Sequence, residues 1–267
     1  MEILNNALKF THKREHSEGG FTLYSGYPDT KNTYYGLLIL QLFNEEPYNK
    51  ENTIKWVEYL HKGRMYGIKG IFYRVNILKI LGKTPGLGEK YFVKLISRNE
   101  FPNFEIAYLH TSILKNIGYD KFDFITDWIL YHQNEDGGFG RSNSNILSTY
   151  YALESLNIID NNLIQFKKDI LDFINKCQTE EGVFAYTPLS YPPYIEGVYA
   201  GTRVYEILGE KPIEINSIIN FVVKLQNKDY GFRRSKYTGI SELEYTFRAL
   251  TILKNFHFFQ NKKNLED

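Results

Sequence analysis

The chain has 267 residues, with 32 Lys plus Arg against 31 Asp plus Glu. A net charge of +1 gives no long-range field that would favour nucleic acid or an anionic membrane. The single cysteine, Cys177, excludes an internal disulfide and a four-thiolate zinc site.

The N-terminal stretch MEILNNALKFTHKREHSEGG lacks a signal-peptide core, and no apolar run approaches the ~18 residues of a membrane span. A cytoplasmic protein is the expectation. From here the chain reads as a succession of similar units. The first is SEGGFTLYSGYPDTKNTYYGLLILQL, residues 17–42. Two weaker units follow, WVEYLHKGRMYGIKGIFYRVNILKIL and FVKLISRNEFPNFEIAYLHTSILKNI. Then an apolar run, FITDWILYH, leads into QNEDGGF at Gln133 and on to STYYALESL. The pattern returns at Gln178 (QTEEGVF, then GTRVYEIL) and at Gln226 (QNKDYGF, then YTFRALTIL). The last apolar residues of the second runs, Leu40, Leu81, Ile117, Leu156, Leu208 and Leu253, mark six helix–turn–helix units. Their length is roughly 40 residues, within the range of helical-pair repeats. The tail from 257 to 267 predicts a final amphipathic turn and a frayed end.

A glycine loop that cradled phosphate would occur once, after a strand. Here Gly137 and Gly138 belong to a corner that recurs between helices, and the ligand spacing of a calcium loop is missing. With 22 Tyr and 19 Phe, the aromatics can fill a core or line an apolar cavity.

A Gln, then Gly and an aromatic, then STYYALESL, resembles the repeat of protein prenyltransferase β subunits and of squalene and terpene cyclases. The resemblance covers about residues 7 to 256. It implies an all-α fold, an α/α toroid of six helical hairpins (an α6/α6 barrel) spanning residues 1–267. An open solenoid of helical pairs is the alternative. It further implies an isoprenoid or prenyl diphosphate ligand in a central cavity, and a protein partner, since prenyltransferases of this type work as heterodimers. The family's zinc ligands have no match in YIEGVYAGTRVYEIL or SELEYTFRAL, where Val198 and Tyr245 stand in place of a thiolate and a histidine. Zinc is therefore not expected, and Mg²⁺ stays open as a cofactor. The acidic cyclase motif survives only as Asp29 before Thr30, Lys31, Asn32 and Thr33, and an ammonium at Lys31 cannot protonate an alkene.

Aligning the units on Ser148 places Asn32, Tyr73, Leu109, Ala200 and Tyr245 together. The next position holds Thr33, Arg74, His110, Thr149, Gly201 and Thr246. Two further on come Tyr35, Asn76, Ser112, Tyr151, Arg203 and Arg248. This register makes Arg74, Arg203 and Arg248 candidates for the charged end of a ligand, because guanidinium forks suit diphosphate or carboxylate. Tyr34, Tyr73, Tyr151 and Tyr245 are candidates for the chain. Asp29, Glu196 and His110 are the catalytic candidates, with Glu105 and the two acids also able to hold Mg²⁺. The plain alternatives are arginines paired with Glu196, Glu242 or Glu244 inside the ring, and a hydrogen-bonded core histidine at His110. No histidine pair shows metal spacing. At the level of the whole chain the competing reading is a non-catalytic toroid serving as a binding or scaffold module. A third class, a carbohydrate-active α/α barrel, has only Asp29 and Glu196 as generic paired acids.

Overall fold

A computed structural model describes residues 2–60, 67–87, 89–98, 100–160 and 166–263. Among them are twelve α-helices and no strand, only isolated β-bridges. The helices are α1 (Glu2–His12), α2 (Thr30–Leu42), α3 (Lys50–Tyr59), α4 (Gly67–Ile80), α5 (Glu89–Ile96) and α6 (Phe104–Asn116), then α7 (Asp123–Tyr131), α8 (Ile146–Ile158), α9 (Lys167–Lys176), α10 (Ile195–Ile207), α11 (Ile215–Val223) and α12 (Leu243–Lys263). The even-numbered helices pack side by side in order, α2 on α4 through α10 on α12, and α12 returns to α2. The ring is closed, and the open solenoid is excluded. The weak second and third units take their full places in it. Odd-numbered helices lie outside: α1 against α2 and α12, α3 against α4, α7 against α6 and α11 against α12. No described helix is long and apolar enough to cross a membrane. The tail expected to be frayed begins as helix, since α12 runs on to Lys263; residues 264–267 lie outside the described residues.

The recurrent corner has a physical logic. Gln133, Gln178 and Gln226 each donate Nε2–H to the carbonyl four residues on, at Gly137, Gly182 and Tyr230. That bond holds a turn in which Gly137 has φ +88°. A Cβ there would lie 2.1 Å from the Asp169 carbonyl of α9, so the next outer helix seats directly on the corner. Phe21, Phe139, Phe184 and Phe232 turn inward and are fully buried. Their backbone N–H groups leave water with them and need acceptors. Thr33, Thr149 and Thr246 hydroxyls accept from Phe21, Phe139 and Phe232. Inner helices then start on side-chain caps: Asp29 accepts from the Asn32 amide, Asn103 from Ile106 and Asn145 from Ser148.

The Phe rings also reveal the true alignment of the inner helices. A Cβ at Gly36 would meet the Phe21 ring at 2.6 Å, and one at Gly201 would meet Phe184 at 2.4 Å. Both glycines are the seventh residue of their helices, α2 and α10. The sequence register had paired Gly201 with Thr33 instead. It is displaced by three residues in the second, third and fifth units. Their linkers differ in length, and an aromatic pattern that recurs every three to four residues looks alike when slipped by one helical turn.

Candidate functional site

With the corrected register, the inner helices present their residues to the bore in tiers. At the mouth stand Lys31, Glu105, Glu196 and Glu244, each the second residue of its helix, with Lys69 in the same place on α4. Lys31 Nζ lies 2.7 Å from Glu244, and Lys69 Nζ 2.7 Å from Glu105, so ion pairs cross the α12/α2 and α4/α6 seams. About one turn deeper, each inner helix contributes one aromatic: Tyr34, Phe72, Tyr108, Tyr150, Tyr199 and Phe247. Neighbours meet edge-on or tilted. Ring centroids are 5.4 Å apart for Tyr34–Phe72, 5.8 Å for Phe72–Tyr108, 5.7 Å for Tyr150–Tyr199 and 6.1 Å for Tyr199–Phe247. Such contacts favour offset or T-shaped rings over stacked faces. The following residues are Tyr35, Tyr73, Leu109, Tyr151, Ala200 and, on α12 alone, an arginine, Arg248. A turn below, Asn76 Nδ2 meets the Ser112 hydroxyl at 3.4 Å, and Arg203 donates to Glu154 through Nε at 3.0 Å and Nη2 at 2.8 Å. These pairs form the floor.

Between mouth and floor lies a cavity of ≈180 Å³. Its wall includes every member of the aromatic tier together with Tyr35, Tyr73, Tyr151, Glu105, Glu154 and Arg248. Burial, the main cause in each case, pushes the Tyr34, Tyr35, Tyr73, Tyr108, Tyr150 and Tyr199 phenols above their usual range and the Tyr151 phenol up to about 12. At neutral pH the tyrosines of the wall are therefore uncharged phenols, able to lie along a hydrocarbon and to hydrogen-bond at their edges.

Arg248 is 7% exposed. Its Nη2 donates to Glu244 Oε1 at 2.6 Å, while Nε and Nη1 are buried with no well-formed hydrogen bond among the described residues, the Tyr151 hydroxyl being the nearby acceptor of the guanidinium. The guanidinium carbon is 5.3 Å from the Tyr199 ring centroid. Leaving a buried charged donor unsatisfied costs about 1–3 kcal/mol or more, so the site is short of an acceptor. Glu244 is shared: it also takes Lys31 and the Tyr35 hydroxyl, the latter at 3.2 Å. Burial would raise its pKa, but Arg248 and Lys31 outweigh that and hold it down at about 2.

Of the residues singled out from sequence, Tyr34, Tyr73, Tyr151, Arg248 and Glu105 meet at the cavity. Arg203 stands just below it, engaged by Glu154 and Glu206. Arg74 and His110 instead share the outward-facing position held by Gly36 and Gly201. Arg74 Nη1 donates to the Gly86 carbonyl at 2.8 Å, and burial lowers its pKa. His110 Nδ1 bonds to the Ile106 carbonyl at 2.8 Å, its ring meets Phe101 edge-on, and burial, the leading cause, lowers its pKa to about 4. Asp29 caps α2, with both oxygens on Asn32. Glu196 pairs with Arg234 at 2.7 Å, away from the lining. Tyr245 is half-buried beside the mouth, outside the lining, its phenol pushed up to about 12 chiefly by burial. Sequence reasoning passed over Phe72, Tyr108, Tyr150, Tyr199 and Phe247 as ligand contacts. Their signal, one aromatic per unit at a fixed helix position, emerges only once the register is right.

No group of three or more His, Cys, Asp or Glu side chains among the described residues is placed to hold a metal ion. Cys177 caps outer helix α9, buried, with its thiol pushed up to about 12 by burial. A thiol so placed does not fit zinc ligation.

The sequence matches the prenyltransferase alpha-alpha toroid domain over residues 3–77 and 105–267. It matches no curated protein significantly. Among solved structures, the Candida albicans protein geranylgeranyltransferase-I complexed with GGPP superposes with a TM-score of 0.69 at 14% identity, covering 94% of this chain and 90% of that one. A protein from Actinoplanes gives 0.60 at 12% identity, over 95% and 98%. The type II terpene cyclase MstE from Scytonema gives 0.45 at 13% identity, over 94% and 73%.

Proposed function

The chain belongs to the prenyltransferase alpha-alpha toroid family, and on that premise we propose that its central cavity binds an isoprenoid that ends in an anionic group, such as a prenyl diphosphate. One observation carries the reading: a six-helix ring of aromatics encloses a cavity whose wall holds a buried arginine with two unused donors. The aromatic tiers suit the hydrocarbon, and Arg248 suits the charged end. All six inner helices point their N-termini at the mouth, which adds favourable dipoles for an anion. The GGPP bound to the yeast enzyme of like fold agrees with this reading. Zinc-dependent transfer to a thiol lacks support, because the donor set does not fit the metal. Proton-initiated cyclisation lacks support too: the two lining carboxylates, Glu105 and Glu154, are both ion-paired, with Lys69 and Arg203.

Titration of the purified protein with geranyl diphosphate by calorimetry tests the proposal. One molecule bound per chain is expected, with Arg248→Met weakening it at least tenfold, the value of one charged hydrogen bond. Unchanged binding by that variant sinks the assignment of Arg248.

A second reading, a toroid that docks a protein, is favoured by one separate feature. Tyr27, Leu189, Tyr191, Tyr237 and Ile240 are exposed on the loops that lead into α2, α10 and α12, and Tyr191 and Tyr237 hydrogen-bond to each other through their hydroxyls. Exposed apolar clusters of this kind mark interaction sites.

A further inference from the structure

We infer that Glu244 is an internal stand-in for the ligand's anionic group, and that Lys31 is the second cation of the anion site once Glu244 is displaced. The inference rests on the cavity reading above and deepens it. Glu244 carries three donors at once: Arg248 at 2.6 Å, Lys31 at 2.7 Å and the Tyr35 hydroxyl at 3.2 Å. Arg248 and Tyr35 line the cavity, whereas Glu244 sits behind them at the α12/α2 seam. Lys31 is held on one side by Glu244 and, at 3.4 Å, by Glu242, and its side chain is 41% exposed at the mouth. The geometry is that of an anion site satisfied by a carboxylate from its own helix. A diphosphate presents more acceptor oxygens and more charge than a carboxylate, so it can take Arg248 through the unused Nε and Nη1 and draw Lys31 across the lip. Glu242 remains as a partner near Lys31, which limits how far the lysine is released. The site lies at the first N-terminal turns of α12 and α2, where both helix dipoles favour the incoming charge. This placement also orients the ligand, with its head at the α12/α2 seam and its tail down the bore toward the floor pair Glu154–Arg203.

The test compares geranyl diphosphate with geraniol, the same chain without the charge, by calorimetry at two salt concentrations. Glu244→Gln removes the competing charge but keeps the shape. It should tighten geranyl diphosphate about tenfold and leave geraniol within about twofold, since one charged hydrogen bond is at stake. Lys31→Ala, at a part-exposed residue, should weaken geranyl diphosphate about tenfold, flatten its salt dependence and leave geraniol unchanged. Geranyl diphosphate binding that is unchanged or weaker in a folded Glu244→Gln protein overturns the inference. Should that variant not fold, an unaltered Kd in Lys31→Ala does so alone. A wild-type protein that binds geraniol and ignores the diphosphate also overturns it while sparing the cavity; failure to bind either overturns both.

Discussion

His110 shows how a single residue's environment decides its role. The ring is buried between Phe101 and its own helix turn and is held neutral, with a pKa lowered to about 4 chiefly by burial. The unfolded chain titrates this histidine near 6.5, so as pH falls the unfolded state takes up its proton first. The contribution is complete above about pH 6.5 and is lost as pH falls toward 4, at up to about 1.4 kcal/mol per pH unit. In His110→Gln, the urea midpoint should vary less between pH 6.5 and 4 than in the parent. An unchanged pH slope would contradict the assignment. Glu244 has the opposite setting, since Arg248 and Lys31 hold it ionised to about 2. It contributes in full above the unfolded carboxylate range and loses that contribution only below it. Charge at His110 and charge at Glu244 therefore respond in different acid windows, and of the two only Glu244 pairs with a residue of the cavity wall, Arg248.

At the scale of the element, the corner is what makes six helical pairs into a ring. Each Phe leaves water at the point where outer helix passes to inner helix, and the amides of Phe21, Phe139 and Phe232 are handed to a threonine one turn into the next helix. Phe139→Ala should cost about 3–5 kcal/mol, as a fully buried aromatic replaced by a cavity does. Thr149→Val keeps the volume but strands the Phe139 N–H, at about 1–3 kcal/mol. Urea unfolding of both variants gives the comparison, and equal small losses would show that the corner is not the support described. In the second and third units Arg74 and His110 fill the place that Gly36 and Gly201 leave open for a Phe ring. That explains why two polar residues on inner helices are buried yet face away from the bore.

For the whole molecule, the closed ring sets the size of what it can hold. The mouth residues and the floor residues are seven apart on each helix, about 10 Å at 1.5 Å per residue. An extended chain advances about 1.25 Å per bond, so a four-bond isoprene unit needs about 5 Å. Two units fill the depth, and a volume of ≈180 Å³ lies below the ~300 Å³ at which larger ligand pockets begin. Binding of prenyl diphosphates should strengthen from five to ten carbons and then level off. A steady gain through fifteen and twenty carbons would show that the floor pair Glu154–Arg203 opens.

By itself the sequence determined the class of fold, the number of units and their corners, because these depend on residues close in the chain; that Asp29 and Asn145 cap inner helices came from the structure. The sequence also led to Arg248, Tyr34, Tyr73 and Tyr151, four of the residues that meet at the cavity. Register between units was beyond its reach, since a helical pattern slipped by one turn satisfies the same periodicity. Tertiary structure alone decided which polar side chains face the bore. Arg74 and His110 could be placed outward, and Glu244 between Arg248 and Lys31, only by the packing of the helices across the α12/α2 seam and against the outer layer, where a few ångströms separate a ligand contact from a buried partner.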